Sequence, residues 1–475
     1  MAATAEQKGA WVQSWLEAFT EAEKTAPRAA WLKRLREDAF ARFWDVGFPT
    51  TKDEDWRFTN VSAIARTHFR PAGADKLTKK NVEAFGIEGA AATLVFVNGR
   101  YARELSQTSG LPKGVTVASL REQIEQHPES IEKHLGRYAD QKRDAFVALN
   151  TAFLSDGAWV HAARGVVLEA PIYLLYLTTH EDAPTVTHPR NLIVAEDQAQ
   201  IAVIEDYVSI GGESVAFSNA VTELVAGEST VAQHYLIERE HLKAFNVSTL
   251  RIQQGRSANV SSHSLLLGGG LVRNNVHPVL AGEGGECLIN GLFLGTERQH
   301  LDNYMHVEHA SPHCGSRQFY NGILDGQAHG VFHGRIVVHK DAQKTDAKQT
   351  NRNLLLSDDA QIDTKPQLEI YADDVKCTHG ATIGQIEENA LFYLQSRGIS
   401  QAEARKLLLM AFAEECVDRM HSAVARQHIE GLIRAHLLFM ESSPRHPIAP
   451  TPGASGTPGQ TSTGKMTERA LEEVG

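Results

Sequence analysis

From about Trp159 to residue 376 the chain alternates short Val, Ile, Leu and Tyr runs with turns built on Gly, Asp and small residues. The turns resemble one another: Val194-Ala195-Glu196-Asp197-Gln198, Leu280-Ala281-Gly282-Glu283-Gly284, Leu324-Asp325-Gly326-Gln327-Ala328, Ser357-Asp358-Asp359-Ala360-Gln361. The spacing of such turns drifts only slightly, being 15 positions from Gly326 to Asp341, 18 from Asp341 to Asp359 and 15 from Asp359 to Asp374. A drifting period with one short strand between turns predicts stacked rungs, a β-solenoid, in preference to a sandwich. Each rung buries its apolar side only against its neighbours, so both ends of the stack need a cover.

The flanking segments supply candidate covers. Residues 6–24 and 28–46 read as amphipathic helices, with Trp11, Trp15 and Phe19 on one stripe and Trp31, Leu35, Phe40 and Phe43 on another. Such aromatic stripes are more often helix contacts than binding boxes. Leu94 to Tyr101 is a hairpin signal, because Asn98-Gly99 supplies the positive φ of a type I′ turn. Residues 118–154 return to helical character. After Gly398, Ser400-Gln401-Ala402-Glu403 reads as a capping box opening a helix with the stripe Leu409, Phe412, Cys416, Met420 and Val424. A second helix follows with Ile429, Leu432, Ile433 and Leu437, and the Pro/Gly/Ser/Thr-rich remainder reads as disordered. The expected organisation is a mostly helical unit with a small hairpin at 1–157, a solenoid at 158–397, a helical unit at 398–441 and a disordered tail at 442–475.

Composition narrows the function classes. A net charge of −11 argues against a sequence-independent grip on nucleic acid or an anionic membrane. No run of about 18 apolar residues exists to span a bilayer, and no secretory signal pattern opens the chain. Four cysteines, Cys287, Cys314, Cys377 and Cys416, make no disulfide framework in a chain of 475 residues, so a reducing cytoplasm fits best.

The chemistry-bearing residues converge on few places. Cys377 and His379 lie two apart on an extended segment and so share a side, and both are iron or zinc ligands. From spacing alone a buried thiol and a hydrogen-bonded imidazole is the simpler reading, since a lone C-x-H lacks a second pair. His306, His309, His313, Cys314, His329, His333 and His339 look metal-like, yet rung-and-turn geometry sends neighbours to opposite sides, and a polar ladder explains them sufficiently. Gly459 to Lys465 copies most of a P-loop, but Met466 replaces the Mg²⁺-binding hydroxyl and no apolar strand precedes it. No nucleotide site is expected.

At Cys377-Thr378-His379-Gly380-Ala381-Thr382-x-Gly384 and Phe392-Tyr393-Leu394-x-Ser396-Arg397-Gly398-Ile399 the sequence closely resembles the SufB/SufD family of scaffold subunits in SUF iron–sulfur cluster assembly. Lys52-x-Glu54-x-Trp56-Arg57-Phe58-Thr59 carries the same resemblance, as does Gly326-x-Ala328-x-Gly330-x-Phe332-x-Gly334 leading into Gln349-x-x-x-Asn353-Leu354-Leu355-Leu356-Ser357. Around the C-x-H position the chain looks SufD-like. The resemblance spans most of residues 1–440.

It implies a right-handed parallel β-helix with helical domains at both ends, and a non-enzymatic role. It implies pairing with a SufB-like subunit through the last strands, and docking of a SufC-like ABC ATPase by the helices at 400–440. A transient iron–sulfur cluster would then sit at the interface of the paired subunits, held first by His379 and second by Cys377, with no metal site independent of it. An isolated chain could form a homodimer through the same surface. Two other classes compete with this reading. A polysaccharide-active β-helix enzyme would use Asp373-Asp374 in an aromatic groove, against an aromatic content of only 7%. A His-rich metal-dependent enzyme would use the 306–339 histidines.

Overall fold

The computed structural model describes residues 15–442 apart from 25, 28 and 143. Trp11, the P-loop-like segment and the expected disordered tail therefore lie outside the described residues. The remainder is mainly β, a solenoid of about eight turns with helices towards both termini.

Successive strands alternate between two sheets, so each turn adds one strand to each. The last eight strands matter most below: β1 (Leu271–Leu280), β2 (Glu286–Gly295), β3 (His300–His309), β4 (Gly315–Leu324), β5 (His329–Val338), β6 (Asp346–Leu355), β7 (Gln361–Ile370) and β8 (Lys376–Gly384). Odd-numbered strands up to β7 belong to one sheet, which we call the first, and β2, β4, β6 and β8 to the second. All eight pair in parallel with the strand one turn away. Leu271 stands opposite His300, 29 residues on, and His329 opposite Gln361, 32 residues on. The 15- and 18-residue spacing of the sequence is therefore half a turn, from one corner to the other.

The corners explain the turn composition. Gln198, Ser229, Ser257, Gly284, His313 and Lys344 all adopt positive φ. Each donates its backbone N–H across to the next turn, from Gln198 to the Glu228 carbonyl at 2.8 Å through to Lys344 and the Asp374 carbonyl at 2.7 Å. Small and polar residues tolerate this left-handed geometry and the corner ladder satisfies its backbone. The lumen is a continuous apolar column that includes Val260, Cys287, Ile289, Phe293, Leu301, Met305, Val307, Phe332 and Ile336.

The starting end is covered. The strand Ala92–Val97 adds to the second sheet and turns back at Asn98 and Gly99, both at positive φ, as the hairpin signal predicts. The strand Val115–Ser119 caps the first sheet in antiparallel fashion. Residues 118–154 form three short helices interrupted at His127-Pro128 and around Gly136, in keeping with the helical character expected of them. The helix α1 (Ala30–Val46) and the segment 15–23 pack Trp15, Phe19, Phe40 and Phe43 against Phe153 and the outer face of the first sheet. Phe19 stacks on Phe40 with centroids 4.2 Å apart, so the aromatic stripes are contacts within the fold.

Three helices follow β8: α2 (Glu388–Ser396), α3 (Gln401–Val417) and α4 (Ala423–Ser442). The capping box forms: the Glu403 amide donates to Ser400 Oγ at 3.3 Å, and the Glu403 carboxylate accepts from the Ser400 amide. α3 and α4 lay Leu409, Phe412, Cys416, Ile429, Ile433 and Leu437 on the outer face of the second sheet. Cys416 is fully buried, donating to the Gly291 carbonyl at 3.3 Å, as the stripe predicts.

Candidate functional site

Among the described residues nothing covers the far end of the stack. β7 and β8 stand last in their sheets, each with a free edge. Cys377 is opposite Ala347 and His379 is opposite Gln349, so both stand in lumen-facing columns. Cys377 packs half-buried on the end of the apolar core, while His379 is exposed. Beneath His379, the amide of Gln349 donates to Gln318 at 2.8 Å. Gln349 Oε1 and Thr364 Oγ1 are buried without a hydrogen-bond partner, so the top of the lumen is polar and unsatisfied.

Backbone direction sets what each edge can do. In a parallel ladder alternate residues bond to alternate sides. The Lys376 amide donates inward to the Thr345 carbonyl at 2.8 Å, so the amides and carbonyls of Cys377, His379, Ala381 and Ile383 point to the open side. On β7 the Gln361 amide donates inward to Ala328, which turns Pro366 outward. Proline has no N–H, so the β7 edge lacks one donor midway, whereas the β8 edge keeps its full row. Ile370, Tyr371 and Ile383 are exposed around these edges, and Phe392 and Tyr393 of α2 project with 72% and 57% exposure. An apolar rim beside an unpaired strand is a surface for strand addition.

The two candidate ligands differ chemically. Burial pushes the Cys377 thiol up, which keeps it protonated and a poor ligand until a metal displaces the proton. The exposed His379 needs no desolvation to bind. The structure thus brings these two together, and it disperses the 306–339 histidines. His309 turns into the lumen against Ser316 Oγ at 2.8 Å, and burial lowers it to about 4. His313 sits in a corner, Cys314 donates to the Gly282 carbonyl, and His329 meets Asp363 on the outer face at 2.8 Å. His333 meets the Tyr304 ring edge-on, and His306 and His339 each reach Glu308 at 3.5 Å.

The aromatic-anchored loop at 52–59 also has a place. Trp56 lies over the Arg273 guanidinium, 3.8 Å from the ring centroid. Arg273 pairs with buried Asp302 at 2.5 Å, to which Thr59 Oγ1 donates. Glu54 meets Lys365 on β7, so the loop straps the last turns of the first sheet. The glycines at 330 and 334 make lumen space: a Cβ on Gly334 would stand 2.0 Å from Gln349 Nε2.

A two-sheeted solenoid, closed at one end by helices and a hairpin and open at the other on a thiol and an imidazole, is the class that this architecture defines. The family model for the SUF system FeS cluster assembly SufBD core domain matches residues 176–412, and that for the SufBD protein N-terminal region matches 11–174. A SufBD family iron–sulfur cluster assembly protein of Synechocystis is 35% identical, covering 82% of this chain and 87% of its own. The iron–sulfur cluster assembly protein SufD of Escherichia coli is 30% identical, covering 88% and 95%, and that of Bacillus subtilis is 26% identical, covering 86% and 94%. The chain belongs to the SufBD family and has a role in iron–sulfur cluster assembly. Among the described residues no helix is long and apolar enough to cross a membrane.

Proposed function

We propose that the chain is a non-enzymatic, cytoplasmic scaffold of SUF cluster assembly that pairs with a SufB-like subunit through its open end. The unpaired β8 edge, carrying Cys377 and His379 at the end of the lumen, is the observation that carries this reading. A partner solenoid adding a strand to β8 would complete the amide row and cover the apolar rim. The seam then holds a half-buried thiol and an exposed imidazole from this side, leaving further ligands to the partner. His379 is the first ligand for a nascent cluster, which is cargo here, and Cys377 is the second.

The C-terminal helices would dock a SufC-like ABC ATPase. Their inner face is occupied by the second sheet, which leaves Leu407 and Leu438, 51% and 48% exposed, as apolar anchors for a partner. ATPase motion would shift the seam between closed and open populations through differential contacts. An isolated chain has the same free edge and could pair with a second copy.

The test is purification of the assembled complex from cells with His379→Ala, and separately with Leu407→Glu plus Leu438→Glu. His379→Ala should leave the complex intact and abolish cluster formation, while the leucine variant should lose the ATPase and keep the SufB-like subunit. Unchanged cluster yield with His379→Ala would remove it from the site. Deleting 400–440 outright is a poorer test, because it would strip the cover from the second sheet.

A further inference from the structure

We propose that His277, His306, Glu308 and His339 form a site for a first-row divalent cation of the Fe²⁺ or Zn²⁺ class, on the outer face of the first sheet and separate from the open end. The site is independent of the function proposed above. His277 is on β1 and His306 on β3, neighbouring strands whose residues run in register at Val276–Met305 and Val279–Glu308. Neighbouring parallel strands lie about 4.8 Å apart. The two imidazoles stack, with centroids 4.1 Å apart and planes 17° from parallel. The stack aims both Nε2 atoms at one carboxylate oxygen: Glu308 Oε1 is 3.0 Å from His277 and 3.5 Å from His306. Glu308 Oε2 is 3.5 Å from His339 Nε2. Ligand atoms of His277, His306 and Glu308 all lie within 4.8 Å of one another.

Two imidazoles and a carboxylate, with His339 half exposed beside the second carboxylate oxygen, are a donor set for borderline transition ions, and a hard cation would require more oxygens. The surroundings suit a bound ion. The side chains of His277, His306 and Glu308 are 17%, 14% and 21% exposed, which limits competing water. They line a cleft of about 650 Å³ between the first sheet and the segment around Trp56, which gives an entry path. The cations opposite the two histidines on neighbouring strands are each matched, Arg251 by Asp144 at 3.3 Å and Arg335 by a bidentate pair with Glu369 at 2.8 and 2.9 Å.

The experiment is anaerobic titration of the untagged full-length chain with Co²⁺, followed by its visible d–d absorption, and then competition with Zn²⁺ and Fe²⁺. One equivalent should bind, with an imidazole-type spectrum that Zn²⁺ erases. Glu308→Gln and His306→Ala, in protein with unchanged circular dichroism, should each weaken binding by more than the roughly 10–100-fold that loss of an outer supporting hydrogen bond costs. His379→Ala and Cys377→Ala should leave it intact. Substoichiometric binding, or binding that survives Glu308→Gln and His306→Ala but falls with His379→Ala, would overturn the assignment.

Discussion

Cys287 and Cys377 stand in one column of the second sheet, separated by Ser316 and Ala347. The residue type and the ladder position are the same, and the surroundings are not. Cys287, mid-stack, has a turn above and below, and burial pushes its thiol up to about 12. Cys377 has a turn on one side only and is half-buried, with its backbone aimed at open space. The neighbouring column runs Ile289, Gln318, Gln349 and His379, apolar where the stack is closed and imidazole where it opens. A solenoid makes a site by stopping: the last turn inherits the geometry of the core without its cover, and chemistry-bearing residues become available there at little cost in stability.

The contrast can be broken from its buried side first. Arg190 and Glu223 pair at 2.6 Å with no exposure, and Glu223 also accepts the amides of Gly136, Tyr138 and Ala139. Glu223→Ala leaves the guanidinium buried and unpaired, and should cost about 3–5 kcal/mol in urea unfolding. A loss below 1 kcal/mol would mean that the covered starting turns are no more tightly determined than the last.

Acidification probes the buried interior further along the stack. Burial lowers His309 to about 4 and His263 to about 3, below their unfolded value of about 6.5. Between those values the unfolded chain binds more protons, so stability should fall as pH drops below about 6.5. Each histidine contributes at most about 2 kcal/mol by pH 5. His309→Gln should flatten the slope of stability against pH.

Two matched substitutions sharpen the comparison. Cys287→Ser buries a hydroxyl and should cost about 1–3 kcal/mol, whereas Cys377→Ser at the open end should stay within about 0.5 kcal/mol. In the native chain a maleimide should label Cys377 well before Cys287, Cys314 or Cys416. Equal labelling of Cys287 and Cys377 would contradict a closed middle and an open end.

Much of this was legible in the sequence. The glycine-bearing turns recur because successive corners stack closely, and a Cβ on Gly255 or Gly282 would stand 3.0 or 2.1 Å from the backbone of the turn before it, so the rungs could be read from them directly. The Asn98-Gly99 hairpin and the Ser400-Glu403 capping box are local rules, and both hold. The pair Cys377 and His379 was legible as sharing a side, since alternation along one strand requires it. Contacts between turns were not legible. His277 and Glu308 meet only because their strands stack a full turn apart, and Trp56 finds Arg273 across more than 200 residues. The helical character expected at 118–154 appears as three short helices, interrupted at His127-Pro128 and Gly136, and those interruptions are set by how the segment caps the stack. That Pro366 blunts one edge and spares the other follows from strand direction, which sequence alone does not reveal.

The central claim is that β8 is an open edge awaiting a partner strand. Its most direct test is amide hydrogen exchange of residues 376–384 in the isolated monomer and in the purified complex with its SufB-like partner. The account predicts fast exchange at Cys377, His379, Ala381 and Ile383 in the monomer, slow exchange at the inward-facing Thr378, Gly380 and Thr382, and protection of the fast set in the complex. Formation of the complex with those four amides still exchanging fast would place the interface elsewhere and contradict it.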